Sequence, residues 1–366
     1  MIIWLTTLME FIPESIQRLF SYVSFRALMA MLTAFLFGIF VGKKLINIIY
    51  QLNFRDVSRN YGDLSPKNKT GTPTMGGIII FLSFLIAVLV WSKPDNFFIS
   101  IILLAAFWFT TMGFFDDYLK NVKGTSDAGM SRGLKLFFQS LFGLILGLLV
   151  MSEHSPIGQE IATKLFIPFV KNPVADLSLF YYIFIILVVI GISNSINFAD
   201  GLDGLAAVPV SLLAFVYAVF AYILGNSKLS EYLLFPYING AEELVIALAA
   251  LVGAMIGFLW FNTYPAEIFM GDTGSLFLGG IIATTAVLLK KEILFLVAGG
   301  LFVIEFLSVF IQDYIGIKIL KRRIFYRAPI HHTYQFMGIA EPKIVVRFWI
   351  LAGIFTLISL ISLKLR

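Results

Sequence analysis

Apolar runs of about twenty residues recur along almost the whole chain, separated by short polar stretches. Their limits predict ten membrane-spanning helices, near 24–47, 74–92, 98–116, 135–151, 177–194, 204–224, 243–260, 274–290, 293–316 and 344–363. The expected fold class is an all-α integral membrane protein, with residues 1–366 forming one polytopic domain. Residues 1–23 are also apolar but contain Glu10 and Glu14. They lack the basic start and small-residue cleavage site of a signal peptide, so an interfacial helix packed on the bundle is expected there. No repeat relates the two halves.

Composition agrees with this pattern. Of 366 residues, 59% are hydrophobic and 13% charged, against roughly 25% charged in an average soluble protein. The absence of cysteine excludes disulfides, iron–sulfur clusters and thiolate zinc sites. Three histidines, His154, His331 and His332, are too few for a histidine-rich metal centre. The net charge of +5 is the positive-inside signature of a bilayer protein and gives no case for nucleic acid. Most of the 27 basic residues fall in the loops after the first, third and ninth spans, including residues 318–343. Those loops are expected on the cytoplasmic side, and an even number of spans then places both termini on the periplasmic side.

The unusual polar residues gather in the five loops expected to face the cytoplasm. The first loop ends in Lys69-Thr70-Gly71-Thr72-Pro73-Thr74-Met75-Gly76-Gly77. Pro73 suits a helix start, glycines admit close backbone approach, and helix-start N–H groups favour anions; a plain turn with a glycine packing pair reads equally well. Asp116 and Asp117 close the third span, with Lys120 one turn on. Acids at a helix C-terminus are disfavoured by roughly 0.3–1 kcal/mol each, so a cation or a proton-transfer role accounts for them better than structure does. The third loop carries Asn197, Asp200 and Asp203, either acid also being a reasonable N-cap. The fourth, with Phe269 and Asp272, has the same two readings. The long fifth loop holds Ala328-Pro329-Ile330-His331-His332, suited to a diphosphate or a proton relay as well as to a structural role.

Five carboxylates on one membrane face, with Lys69 and two histidines, point to Mg²⁺ acting on a phosphorylated substrate at the cytoplasmic surface. A transporter more often places ionisable groups near the bilayer midplane. Glu305, inside the ninth span, is the clearest candidate for that arrangement.

In combination, GTPTMGG at 71–77, GFFDDYLK at 113–120, NFADGLDG at 197–204, FNTYPAEIFMGDTGS at 261–275 and APIHH at 328–332 closely resemble the phospho-N-acetylmuramoyl-pentapeptide transferase family. That family is the bacterial branch of the polyprenyl-phosphate N-acetylhexosamine-1-phosphate transferases. The resemblance implies ten transmembrane helices with external termini in the bacterial cytoplasmic (inner) membrane, and a homodimer. It also implies Mg²⁺-dependent transfer of phospho-MurNAc-pentapeptide from UDP-MurNAc-pentapeptide to undecaprenyl phosphate. The products would be lipid I and UMP, the first membrane step of peptidoglycan synthesis. Asp116 and Asp117 match the paired acids, Asp116 as the candidate base; Asp272 matches the magnesium-binding aspartate, with Asp117 as a second metal candidate. Asn197 and Asp200 match the nucleotide pocket, Asp203 and Phe269 the uracil contacts, and Lys69 and Thr74 the pyrophosphate end; Lys120 joins the substrate-binding set. His331 and His332 match the start of a histidine run near the active site. The alternatives are a sibling transferase using UDP-N-acetylglucosamine and, outside enzymes, a lipid-linked sugar flippase or transporter.

The chain departs from the family at Thr333, where a third histidine usually stands, and at Gln335, where glutamate is usual. The implied chemistry is phosphoryl transfer, in which positioning and charge neutralisation do most of the catalysis. A lipid phosphate with a second pKa near ~6 is already largely ionised at pH 7, so Asp116 is also a candidate metal or lysine partner. A two-step route through a phosphoryl-aspartate is the rival mechanism.

Overall fold

The computed structural model describes residues 14–54, 71–125 and 128–365. Twelve helices carry the architecture: α1 Glu14–Ser21, α2 Val23–Gln51, α3 Gly77–Trp91, α4 Phe97–Lys123, α5 Arg132–Val150, α6 Phe180–Ala199, α7 Ala207–Leu224, α8 Glu243–Asn262, α9 Gly271–Leu288, α10 Gly300–Phe310, α11 Ile330–Phe336 and α12 Glu341–Ile361. Short helical turns occur at Gln159–Ala162, Ser227–Tyr232 and Leu294–Ala298. Among the described residues, nine helices are long and apolar enough to cross a membrane. Each expected span coincides with helix, but α3 has only 15 residues, about 22 Å of rise against a hydrocarbon core of ~30 Å. The first half of the expected interfacial segment, residues 1–13, lies outside the described residues; α1 covers part of the remainder.

Three boundaries differ from expectation in ways that matter for the site. The third span does not stop at Asp116. Helix α4 runs two further turns to Lys123 and ends at Gly124, whose φ of 67° supplies the left-handed C-terminus that glycine adopts without strain. Helix α5 starts at Arg132 because Ser131 caps it, its hydroxyl accepting from Leu134 N–H at 3.3 Å, so Lys135 falls in the first helical turn. The ninth span is broken. Gly299 separates Leu294–Ala298 from α10, which starts at Gly300 and then continues as a π-helix over Ile311–Ile319. The all-α expectation also misses a small hairpin, β1 Lys164–Leu165 antiparallel to β2 Ala175–Asp176.

Packing is built on small residues. Along α2 the buried positions Ala27, Ala30, Ala34, Gly38, Gly42 and Ile46 recur every three or four residues, forming one helical face. That face lies against α8 so closely that a Cβ on Gly253 would meet the Met31 carbonyl at 2.0 Å. Helix α9 is the centre of the bundle, enclosed by α3, α4 and α6, and every side chain from Thr273 to Leu288 is buried. Its glycines, serine, alanines and threonines let the neighbouring backbones close in.

The helix ends remote from the site are held by buried charge. Both terminal nitrogens of Arg26 on α2 donate to the Glu243 carboxylate on α8, at 2.8 and 2.6 Å. One also reaches the Trp91 carbonyl at 3.3 Å. Lys290, fully buried, donates to the Ala162 carbonyl at 2.9 Å and lies 3.5 Å from the Tyr181 ring centroid.

Candidate active site

The site forms where the C-terminal turns of α4 and α6 meet the N-terminal turns of α5 and α9. On α4, Asp116 and Lys120 are four residues apart and therefore stacked on one face, with Nζ 2.5 Å from Asp116 Oδ2. Lys120 also lies 3.0 Å from Asp272 Oδ2 and 4.0 Å from Asp117 Oδ1. From α5, Lys135 reaches Asp116 Oδ1 at 3.0 Å and Asp272 Oδ2 at 2.7 Å. Carboxylate oxygens of Asp116, Asp117 and Asp272 come within 4.8 Å of one another. Three acids and two ammonium groups thus share one small volume, largely shielded from solvent.

Asp117 faces the other way from Asp116. Its Oδ1 accepts from the Asp272 N–H at 3.0 Å, and its Oδ2 accepts from the Thr273 N–H at 2.8 Å and the Thr273 hydroxyl at 2.7 Å. Those N–H groups open α9, so Asp117 caps a helix other than its own. This corrects the N-cap reading of Asp272, which occupies the second position of α9 while Met270 stands at the N-cap without a side-chain bond. Asp272 is instead oriented by Asn197 of α6, whose amide nitrogen donates to its Oδ1 at 2.9 Å and to Ser275 Oγ at 2.7 Å.

Backbone closeness makes this convergence possible. A Cβ on Gly113 would meet the Asp272 carbonyl at 2.2 Å, and one on Gly77 would meet the Gly274 nitrogen at 2.1 Å. The GTPTMGG stretch is not the start of a helix, as Pro73 implied. It is a loop laid against residues 268–270, with Phe269 N–H donating to the Pro73 carbonyl, Gly76 N–H to the Phe269 carbonyl and Gly77 N–H to the Met270 carbonyl, at 2.8–2.9 Å. The hydroxyl of Thr74 and the carboxylate of Asp117 both face Gly271. Lys69 lies outside the described residues.

Asp200 and Asp203 are not N-caps of α7, which starts after Ala206 with no side-chain cap. Asp200 terminates α6. Burial, followed by the negative charges of Asp272, Asp117 and Asp203, raises its pKa to about 8. Asp203 is 4% exposed and accepts from the Ala266 N–H at 3.1 Å, tying its loop to the segment that bears Phe269. Phe269 itself is half-buried. Asn262 fastens the same two loops, accepting from Gly204 N–H at 2.9 Å and donating to the Ile268 carbonyl at 2.8 Å.

Helix α11 brings in the histidines. His331 is fully buried, with Nδ1 3.1 Å from Glu305 Oε2 on α10. Its Nε2 points at Gly201, where a Cβ would stand 2.2 Å away. His332 Nδ1 bonds the Gln335 amide oxygen at 2.8 Å, so glutamine serves as an acceptor where the resemblance anticipates glutamate. Thr333 closes the loop onto Arg327, accepting from its N–H at 3.2 Å and donating to its carbonyl. Glu305 is therefore the partner of a loop histidine and not an isolated acid on a transport path. Sequence reasoning missed Lys135, whose charge was absorbed into the positive-inside count, and Thr273, Ser275 and Asn262, whose roles depend on contacts between distant segments.

Fold and site together define a polytopic membrane protein with a carboxylate–lysine centre, and comparison with known proteins places it. The family model described as glycosyl transferase family 4 matches residues 98–290, a stretch running from α4 through α9. The chain is also 44% identical over 348 residues to the phospho-N-acetylmuramoyl-pentapeptide-transferase of Citrifermentans bemidjiense, covering 95% of each chain. The proteins of that name from Vesicomyosocius okutanii and Geobacter sp. (strain M21) are 44% identical over equal lengths, with 94–95% of either chain covered. The chain belongs to glycosyl transferase family 4 and, within it, to the phospho-N-acetylmuramoyl-pentapeptide-transferase family.

Proposed function

We propose that the protein transfers phospho-MurNAc-pentapeptide from UDP-MurNAc-pentapeptide to undecaprenyl phosphate, giving lipid I and UMP. In this reading it crosses the bacterial cytoplasmic membrane ten times, α3 included, with both termini periplasmic and the site on the cytoplasmic face. Family membership supports the substrates. The single observation that carries the chemistry is the meeting of Asp116, Asp117 and Asp272 with Lys120 and Lys135.

The three carboxylates form a hard-oxygen donor set that fits Mg²⁺. Bound there, the ion would neutralise charge developing on the transferred phosphoryl group. Asp116 and Asp272 are the better placed ligands, because two of the three contacts each accepts come from the long side chains of Lys120 and Lys135, whereas all three of Asp117 come from the start of α9. A carboxylate offers about four acceptor sites, so Asp117 keeps room for one more contact. Lys120 and Lys135 bridge Asp116 to Asp272 and supply fixed positive charge for phosphate oxygens. Asn197 holds Asp272 in orientation, and the loops bearing Asp200, Asp203 and Phe269 form the side where the nucleotide binds. Lys69 and Thr74 belong at the pyrophosphate end, and His331 and His332 at the edge reached through Gly201.

The test is UMP release from UDP-MurNAc-pentapeptide, undecaprenyl phosphate and purified protein with Mg²⁺. Release with UDP-N-acetylglucosamine alone would place the protein among the sibling transferases. No release with either sugar nucleotide would return the flippase reading. Asp116→Asn is expected to abolish turnover while UDP-sugar binding, followed by calorimetry, survives. More than about a tenth of the wild-type rate, judged against ordinary acid–base contributions, would remove Asp116 from the role of base. Exchange of labelled UMP into UDP-sugar without lipid would favour a phosphoryl-aspartate.

A further inference from the structure

Glu305 has no part in the chemistry above, and its partner His331 has only a place at the edge of the site. Both side chains are fully buried, on α10 and α11, and belong to segments 26 residues apart. A buried acid and imidazole in contact at 3.1 Å settle each other's orientation. An ionised carboxylate only accepts hydrogen bonds, so the nitrogen facing it carries the proton. With Nδ1–H spent on Glu305, the other ring nitrogen, Nε2, is left as a lone-pair acceptor. That atom is buried and has no hydrogen-bond partner among the described residues. It is aimed at the Asp200–Gly201 turn, and only glycine fits beneath it.

We infer that Glu305 is a positioning residue that holds His331 in the Nδ1–H tautomer, so that Nε2 faces the turn carrying Asp200 as an acceptor and not as a donor. Among the described residues, Glu305 alone bonds this ring from the Nδ1 side. The opposite tautomer would turn an N–H towards the turn and a lone pair towards a carboxylate, two unfavourable contacts in a buried setting. Partners that fix a histidine tautomer in this way change activity by about 10–100-fold when removed from metal-bound histidines.

The chain suits a direct test because it holds three histidines, one of them, His154, exposed. Protein labelled with ¹⁵N in the histidine rings should give a His331 signal, assigned by its loss in His331→Gln, with Nδ1 protonated and Nε2 not. Glu305→Ala should mix the tautomers and lower kcat at least tenfold, with KM for the UDP-sugar changing less than about threefold. Glu305→Gln, whose amide oxygen accepts the same bond, should retain the tautomer and recover most of kcat, which also separates the hydrogen bond from a folding defect. A wild-type His331 protonated at Nε2, or a Glu305→Ala kcat within twofold of wild type, overturns the inference. The kinetic arm rests on the transferase reading. The tautomer measurement does not, so failure of wild-type protein to release UMP leaves it standing on its own.

Discussion

Two adjacent aspartates two turns before the end of α4 have separate duties because neighbouring residues on a helix point about 100° apart. Asp116 turns to Lys120 and Lys135; Asp117 turns to the first N–H groups of α9. Their placement looked unfavourable from the sequence, which supplies the dipole of their own helix only. The favourable partner of Asp117 is the positive end of another helix, and that is a tertiary fact. Replacing Asp117 by Ala should cost about 1–2 kcal/mol, as for loss of an N-cap, and should speed hydrogen exchange at the Asp272 and Thr273 amides; Asp117→Asn, with one acceptor oxygen in place of two, should protect one of the two amides and not the other. Lys135→Met should lower turnover by about 100-fold or more, on the scale of a lost charge-stabilising donor, while Lys123→Met, at an exposed position without a partner in the site, should stay within twofold. Asp200 gives a pH test. Its folded pKa of about 8 lies above the unfolded value of about 4, so the folded state favours the proton. The stability it contributes is complete below about pH 4 and is lost as pH rises through 8. In metal-free detergent solution, the thermal midpoint of Asp200→Asn relative to wild type should therefore rise between pH 6 and pH 9.

At the level of elements, the apolar pattern placed every long helix, because a bilayer demands continuous apolar runs whatever the tertiary contacts. It failed where polar residues extend a helix beyond the apolar core. The last two turns of α4 and the first turn of α5 are polar, yet they carry Lys120 and Lys135, and their caps at Gly124 and Ser131 are visible only once the helix is known to reach them. The broken ninth span follows from Gly299, a residue an apolar count reads straight through. Close crossings were similarly hidden: glycines at 77, 113 and 274 are unremarkable singly and become necessary only where α3 and α4 pass α9. Gly113→Ala should displace the Asp272 backbone, which a Cβ would approach to 2.2 Å. The expected result is a loss of about 1–3 kcal/mol for overpacking, with turnover falling more than thermal stability because the displaced residue belongs to the site.

For the whole molecule, the site does not depend on a metal to hold its acids together. Lys120 and Lys135 already bridge Asp116 and Asp272, and the Thr273 and Asp272 N–H groups satisfy Asp117. Chelation with EDTA should accordingly stop turnover reversibly while lowering the thermal midpoint by no more than a few degrees, measured by unfolding in detergent. A metal-dependent fold would instead collapse, as small metal-stapled domains do. The enclosure of α9 has a further consequence, for biogenesis. It is the least apolar of the nine candidate spans and the most completely buried in protein, so lipid is a poor solvent for it. Released singly from the translocon, such a segment has little drive to partition into the bilayer; its glycines close against α3, α4 and α6, and Thr273 and Ser275 take hydrogen-bond partners from α4 and α6. Those three precede it in the chain, and α9 is therefore expected to enter the membrane by docking into a cleft its predecessors have already formed.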